Sequence, residues 1–174
     1  MHQLLLLRHA KSSWDDPKLA DRDRPLGKRG RRAATAMRRT MLELGLIPDV
    51  VLVSPSRRTL ETLAALEPWD DTPLVEQLEA LYLATAPQLL AVLRGVNETV
   101  RSVMLIGHNP GMHELAVQLA STSAASDATG RLTAGFPTAA LAEFSVAAQW
   151  QHLDAAGTRL VRFLRPRDLA ETAT

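Results

Sequence analysis

Leu4-Leu5-Leu6-Leu7-Arg8-His9-Ala10 is the stretch that decides the fold. Four consecutive Leu bounded by polar residues suit a strand buried on both faces, as in a parallel sheet. In open α/β sheets, ligands bind just beyond the carboxyl ends of such strands. Arg8 and His9 stand side by side at that point and are the first candidate functional residues.

Residues 9–27 read as a polar loop holding Pro17 and Pro25. A helix is predicted from Lys28 to about Leu44. Gly30, Ala33, Ala34, Met37, Met41 and Leu44 fall on one face, and Lys28, Arg31, Arg32, Arg38 and Arg39 on the other. Gly45 then gives a stop signal. Val50 to Val53 form a second buried strand ending at Ser54-Pro55, and Arg57 to Leu66 a second helix. Residues 76–83 carry no decisive pattern, while Pro87 opens a short helix ending near Gly95.

Arg101 to Ile106 form a third strand, stopped by Gly107-His108. Asn109-Pro110 reads as a helix start, with Asn109 as N-cap and Pro110 in the first helical position. Met112, Leu115, Ala116 and Leu119 form the apolar stripe of that helix. The Ser/Thr/Ala-rich run after it is the best flexible-loop candidate, near 121–135. Strands near 139–146 and 158–164 complete the pattern. Strands alternating with helices argue for an α/β fold with a mostly parallel sheet covered on both faces.

Composition narrows the function classes. With 174 residues, one domain spanning 1–174 is expected. Hydrophobic residues are 46% and charged residues 22%, ordinary for a soluble globular protein. A net charge of +1 gives no global field toward nucleic acid or membrane. The chain has no cysteine, which excludes disulfides, thiolate metal sites and a Cys nucleophile. Leu4 to Leu7 is shorter than the roughly 7–15 residues of a signal-peptide core. No segment approaches the ~18 apolar residues of a membrane span. The expectation is a cytoplasmic protein, monomeric, without membrane or nucleic-acid partners.

Three strand ends carry related chemistry: Arg8-His9, then Ser54-Pro55-Ser56-Arg57-Arg58, then Gly107-His108-Asn109-Pro110-Gly111. In parallel strands these groups share one rim of the sheet. Two His and two or three Arg in one cleft suit a small dianion rather than a carboxylate acid/base pair. Guanidinium forks match phosphate oxygens and are always charged. Helix N-termini add backbone donors. Nearby positive charge keeps an imidazole neutral and so nucleophilic.

These residues resemble the histidine phosphatase (phosphoglycerate mutase-like) superfamily, and within it the short SixA-like branch. The shared pieces are Leu-Leu-Arg-His-Ala-Lys-Ser-Ser-Trp, Asp-Arg-Pro-Leu-Gly-Lys-Arg-Gly, Ser-Pro-Ser-Arg-Arg-Thr-Leu-Glu-Thr and Gly-His-Asn-Pro-Gly, in the family's order across residues 4–111. The segment from Phe136-Pro137-Thr138 to Pro166-Arg167 is similar to that branch too. The resemblance implies a three-layer α/β/α sandwich and catalysis without a metal or organic cofactor. It implies His9 as nucleophile, Arg8 and Arg58 as phosphate-binding residues, and His108 as the second histidine on the transferring phosphate. Ser12 and Asn109 are expected to join Arg8, Arg58 and His108 in binding substrate.

Two departures from the family shape the expected substrate. Asp15 stands where larger members usually have an Asn that touches phosphate, and a carboxylate there would repel a dianion. The insertion carrying the proton-donating carboxylate is missing, leaving Glu76, Glu79, His108 or no residue at all as the general acid. General acid catalysis contributes about 10²–10⁴-fold, so loss of the acid handicaps alkoxide departure. Imidazole, with a conjugate-acid pKa near 6.5, leaves with less help. The expected substrate is therefore a phosphohistidine-bearing protein, with inorganic phosphate as product. A small phosphomonoester is the alternative, and a catalytically weak binder of phosphorylated partners stands behind it.

Other residues have plainer readings. Arg58 could pair with Glu61 on its own helix. His2, His113 and His152 read as structural or surface residues, and His108 and His113 do not share a helix face as metal ligands would. The basic face of helix 28–44 reads as a solvated surface, since 4% aromatics leave little to stack on bases. Gly27-Lys28-Arg29-Gly30 lacks P-loop spacing. Trp14 is expected on the wall of the cleft.

Overall fold

The computed structural model describes residues 1–169. Positions 170–174, the end of the expected 1–174 domain, lie outside the described residues. Six strands form one sheet: β1 (His2–Arg8), β2 (Val50–Val53), β3 (Leu74–Gln77), β4 (Ser102–Gly107), β5 (Leu141–Val146) and β6 (Thr158–Leu164). Their order is β3-β2-β4-β1-β5-β6. The first four in that order run parallel, and β5 and β6 add an antiparallel edge.

Helices cover both faces, making three layers. The four-Leu run shows why. Leu5 and Leu7 point into one core with Met37 and Met41 of α1 (Lys28–Glu43) and Leu63 and Leu66 of α2 (Arg57–Leu66). Leu4 and Leu6 point into the other, with α3 (Ala86–Arg94), α4 (Gly111–Ala120) and Leu132 of α5 (Asp127–Ala134). All four Leu are buried, each contributing roughly 1.5–3 kcal/mol.

Register brings the three motif-bearing strand ends level. Arg8 pairs with Gly107, and Val53 with Ile106. Beyond the pairs, His9 N donates to Gly107 O at 3.1 Å and Ser54 N to Ile106 O at 3.2 Å. Arg8-His9, Ser54 and His108 thus emerge on one rim, as the sequence predicts.

Several local expectations are corrected. The segment near 121–135 is not all loop, because Ser126 and Thr129 cap each other reciprocally and start α5, which buries Leu132. Leu44 is not part of the buried face of α1; it caps the helix end and is exposed. Asn109 is not the N-cap of α4 and Pro110 is not its first helical residue; Pro110 caps and Gly111 begins the helix. The Asn109 amide instead bridges outward, its Nδ2 donating to Phe136 O at 2.8 Å while its Oδ1 accepts from His113 N at 3.2 Å. Strand β3 was not legible, since all four residues are exposed and show no alternation. Among the described residues no helix is long and apolar enough to cross a membrane.

Candidate active site

His9 follows β1 directly, and its ring is fixed by its own neighbour. Nδ1 lies 2.7 Å from Ala10 O and donates to it, because a carbonyl can only accept. This sets the tautomer and leaves the Nε2 lone pair without a proton. Ala10 N in turn donates to Thr62 Oγ1 of α2 at 2.9 Å, locking the turn that carries the ring. Burial pushes the His9 pKa down to about 4, the bond to Ala10 O opposes this, and the charges of Arg58, Arg8 and Arg24 add to the lowering. The ring is neutral across the physiological range.

Arg8, the last residue of β1, donates from Nη1 to Phe136 O at 3.1 Å. Its Nε is buried with no hydrogen-bond partner. An orphaned buried guanidinium N–H costs free energy unless an acceptor fills the site. This unpartnered donor sits on the residue next to His9 and is open to an anionic acceptor.

Arg58 enters from the first turn of α2, whose start is capped by Ser56 Oγ accepting from Thr59 N. Its side chain is 4% exposed. Nη1 donates to Asp21 O at 2.7 Å, and Nη2 donates to Asp21 Oδ2 at 3.0 Å and to His108 Nδ1 at 3.3 Å. Arg57, not Arg58, forms the helix pair with Glu61, at 2.9 Å. These bonds engage three of the five guanidinium N–H groups of Arg58.

His108 follows β4. Because its Nδ1 accepts from Arg58, its Nε2 carries the proton and donates to Ser54 Oγ at 2.7 Å. Burial is the main cause that drives its pKa down, to about 3, with His9 and Arg58 adding repulsion. It too is neutral.

All six sequence-predicted residues line one cleft of about 550 Å³: Arg8, His9, Ser12, Arg58, His108 and Asn109. Trp14 lines it as well, as expected, and is 74% exposed. Lys11, Arg24, Leu83, Pro137 and Thr138 complete the wall and were not singled out from sequence. Arg24 is the notable omission. It is buried, donates to Ser13 O and Ser12 Oγ, and lies against the Trp14 ring with its guanidinium carbon 3.0 Å from the centroid. Its signal was present in the Asp-Arg-Pro-Leu motif, but nothing local to that motif assigns it a task.

Glu76 and Glu79 are not in the cleft. Glu76 is exposed on β3 and faces a separate groove. Glu79 is fully tied to Arg22 by bonds of 2.7 and 3.0 Å on the outer surface. Asp15 is exposed and away from the lining, as its charge requires. His2 stacks on Trp150 and meets Glu98, His113 meets Leu132 O, and His152 is exposed. On the basic face of α1, Arg31 and Arg38 donate to backbone carbonyls of Leu26 and Leu66. Among the described residues no group of three or more His, Asp or Glu could hold a metal ion.

The geometry can therefore present a neutral imidazole nitrogen to an electrophile held by guanidinium groups. Comparison with known proteins points the same way. A family model described as histidine phosphatase superfamily (branch 1) matches residues 4–81. A Mycobacterium tuberculosis protein without an assigned role is 35% identical over 163 residues, covering 92% of this chain and 100% of that protein. A chloroplastic Arabidopsis thaliana protein, also without an assigned role, is 34% identical over 131 residues. That match takes in 70% of this chain but 60% of the plant protein, so the chain spans less than two thirds of that relative. Among solved structures, the "Putative Phosphohistidine Phosphatase SixA" of Nakamurella multipartitia is similar at a TM-score of 0.80 and 29% identity, covering 95% of this chain and 96% of that one.

Proposed function

The chain belongs to the histidine phosphatase superfamily, and from that premise we propose that it removes phosphoryl groups from phosphohistidine on partner proteins through a covalent intermediate on His9. His9 Nε2 attacks phosphorus in line, the new N–P bond forms, and the bond to the substrate ring breaks, releasing neutral imidazole because that ring carries a solvent-derived proton on its distal nitrogen. Water then attacks the phosphoryl-His9 adduct and releases inorganic phosphate. Arg8, through its unpartnered Nε, and Arg58 hold the equatorial oxygens as charge redistributes over them. His108 lines the same cleft, its ring centroid 5.3 Å from that of His9.

The observation that carries this reading is the fixed tautomer of His9. Its Nδ1 proton is committed to Ala10 O, so the lone pair of Nε2 is available at neutral pH. The substrate class is supported by what surrounds that nitrogen. No carboxylate lines the described cleft, and His108, held well below its ordinary pKa, is a poor proton donor near neutrality. A phosphohistidine ring takes up its proton from solvent at the distal nitrogen and then departs as neutral imidazole, so it needs no proton donor within the cleft. The name of the Nakamurella neighbour supports the same class.

The test uses purified protein in EDTA, given a phosphohistidine-bearing protein and an aryl phosphate in parallel, beside His9→Ala. Turnover in EDTA that disappears in His9→Ala, with the phosphoramidate preferred, is the expected result. Turnover surviving in His9→Ala removes the nucleophile, and a preference for the aryl ester moves the assignment to a phosphomonoesterase.

A further inference from the structure

One carboxylate stands directly behind a site built to hold an anion. Asp21 lies in a short 3-10 turn, Asp21–Asp23, within the loop that follows β1. Its Oδ2 accepts from Arg58 Nη2 at 3.0 Å and from the Tyr82 hydroxyl. Its Oδ1 accepts from Arg24 Nη1 at 3.3 Å, and its backbone oxygen accepts from Arg58 Nη1 at 2.7 Å. By charge alone a carboxylate in that place weakens binding of a dianion, so its presence calls for another role.

Geometry supplies that role. Arg58 and Arg24 both line the cleft and repel each other, and burial at 4% and 7% exposure denies them solvent partners. A single carboxylate bridging the two removes that repulsion and fixes the planes of both forks. Tyr82 holds the carboxylate from the other side while its ring meets His108 edge-on at 5.4 Å. Tyr82 is itself covered by Arg22, which Glu79 anchors. A continuous outer wall therefore runs from Glu79 through Arg22, Tyr82 and Asp21 to Arg58.

We propose that Asp21 is a positioning residue, whose carboxylate orients Arg58 and Arg24 toward the phosphoryl oxygens, with Tyr82 as the strut that holds the carboxylate in place. This assignment rests on the reading of the cleft as a phosphoryl site. It concerns binding before chemistry, so inorganic phosphate alone can probe it.

The experiment measures the affinity of full-length protein for inorganic phosphate by calorimetry, together with KM and kcat on whichever phosphorylated substrate the wild type turns over. Asp21→Ala weakens phosphate binding and raises KM by about tenfold or more, the size of a lost charge-assisted bond. Tyr82→Phe, which removes only one hydroxyl and leaves the packing intact, shifts both in the same direction by a smaller factor. Unchanged or tighter phosphate binding in Asp21→Ala overturns the proposal, because it shows charge repulsion without positioning. Unchanged phosphate affinity and KM in Tyr82→Phe removes the strut. Wild-type protein that binds phosphate but turns over no substrate refutes the proposed activity and leaves the binding comparison for Asp21 intact.

Discussion

The imidazole rings of His9 and His108 lie 5.3 Å apart between centroids, tilted by 54°. Neither ring bonds the other, because each has its protonated nitrogen committed elsewhere, to Ala10 O and to Ser54 Oγ. Burial holds both rings below their ordinary pKa, and His9 adds to the lowering of His108. The result is a pair of neutral rings among permanent positive charges. That state suits a nucleophile awaiting a dianion, and it makes the arginines, not the histidines, the source of electrostatic attraction.

Arg58 is accordingly the residue where shape and charge can be separated. Lysine keeps the charge but cannot reach Asp21 O, Asp21 Oδ2 and His108 Nδ1 together, because it lacks the planar fork. Arg58→Lys is expected to lower kcat/KM by about 10²-fold, the usual scale for losing a preorganised donor. Arg58→Ala falls further. Steady-state kinetics on both variants provide the check, and a Lys variant within threefold of wild type would show that charge alone suffices.

Stability inherits a pH dependence from the same rings. In the unfolded chain both histidines return to about 6.5, whereas folding holds His9 at about 4 and His108 at about 3. Between pH 6.5 and 4 the unfolded chain therefore binds protons that the folded chain does not. Stability rises with pH across that window and is lost as acid is added, and above it neither ring contributes. Asp21 titrates lower. Burial raises its pKa, but bonds from Tyr82 and Arg58 outweigh this and hold it at about 2, so its stabilising contribution is lost only between about 3.8 and 2. The urea midpoint is expected to be lower at pH 5 than at pH 7.5, with a shallower difference in His9→Ala. An equal difference in wild type and variant would contradict the buried neutral state of His9.

What the sequence made legible follows from how local the signals are. Strands β1, β2 and β4 announce themselves because burial on both faces demands unbroken apolar runs, and the residues at their ends follow from parallel pairing. The helix over Arg57–Leu66 is legible as well, and the structure shows Ser56 as its cap. Arg24 and Asp21 were not legible as site residues. Their place depends on how the loop 9–27 folds back, through Ser13 N to Pro25 O at 2.7 Å and Gly27 N to Lys11 O at 3.0 Å, which no periodicity reports. Tyr82 reaches the site only because the turn after β3 packs against that loop, a contact 61 residues distant in sequence.

Gly30 gives the last prediction, since it couples that loop to the scaffold. In the sequence it is one small residue on the apolar face of α1. In the structure a Cβ there would stand 2.1 Å from Lys11 O and 3.0 Å from Lys11 N, both backbone atoms that cannot swing aside. The helix therefore presses directly on the loop that carries Ser12 and, through Ser12 Oγ, holds Arg24. Gly30→Ala must move either α1 or the loop, and overpacking of this kind costs typically about 1–3 kcal/mol. The matched control is Gly130→Ala in α5, where a Cβ meets nothing within 4 Å. There the better helix propensity of alanine should stabilise by up to about 1 kcal/mol. Thermal melts of the two variants should move in opposite directions, with phosphate affinity falling only in Gly30→Ala. If Gly30→Ala melts with wild type and binds phosphate normally, the loop is not held by α1 and the wall of the cleft has another support.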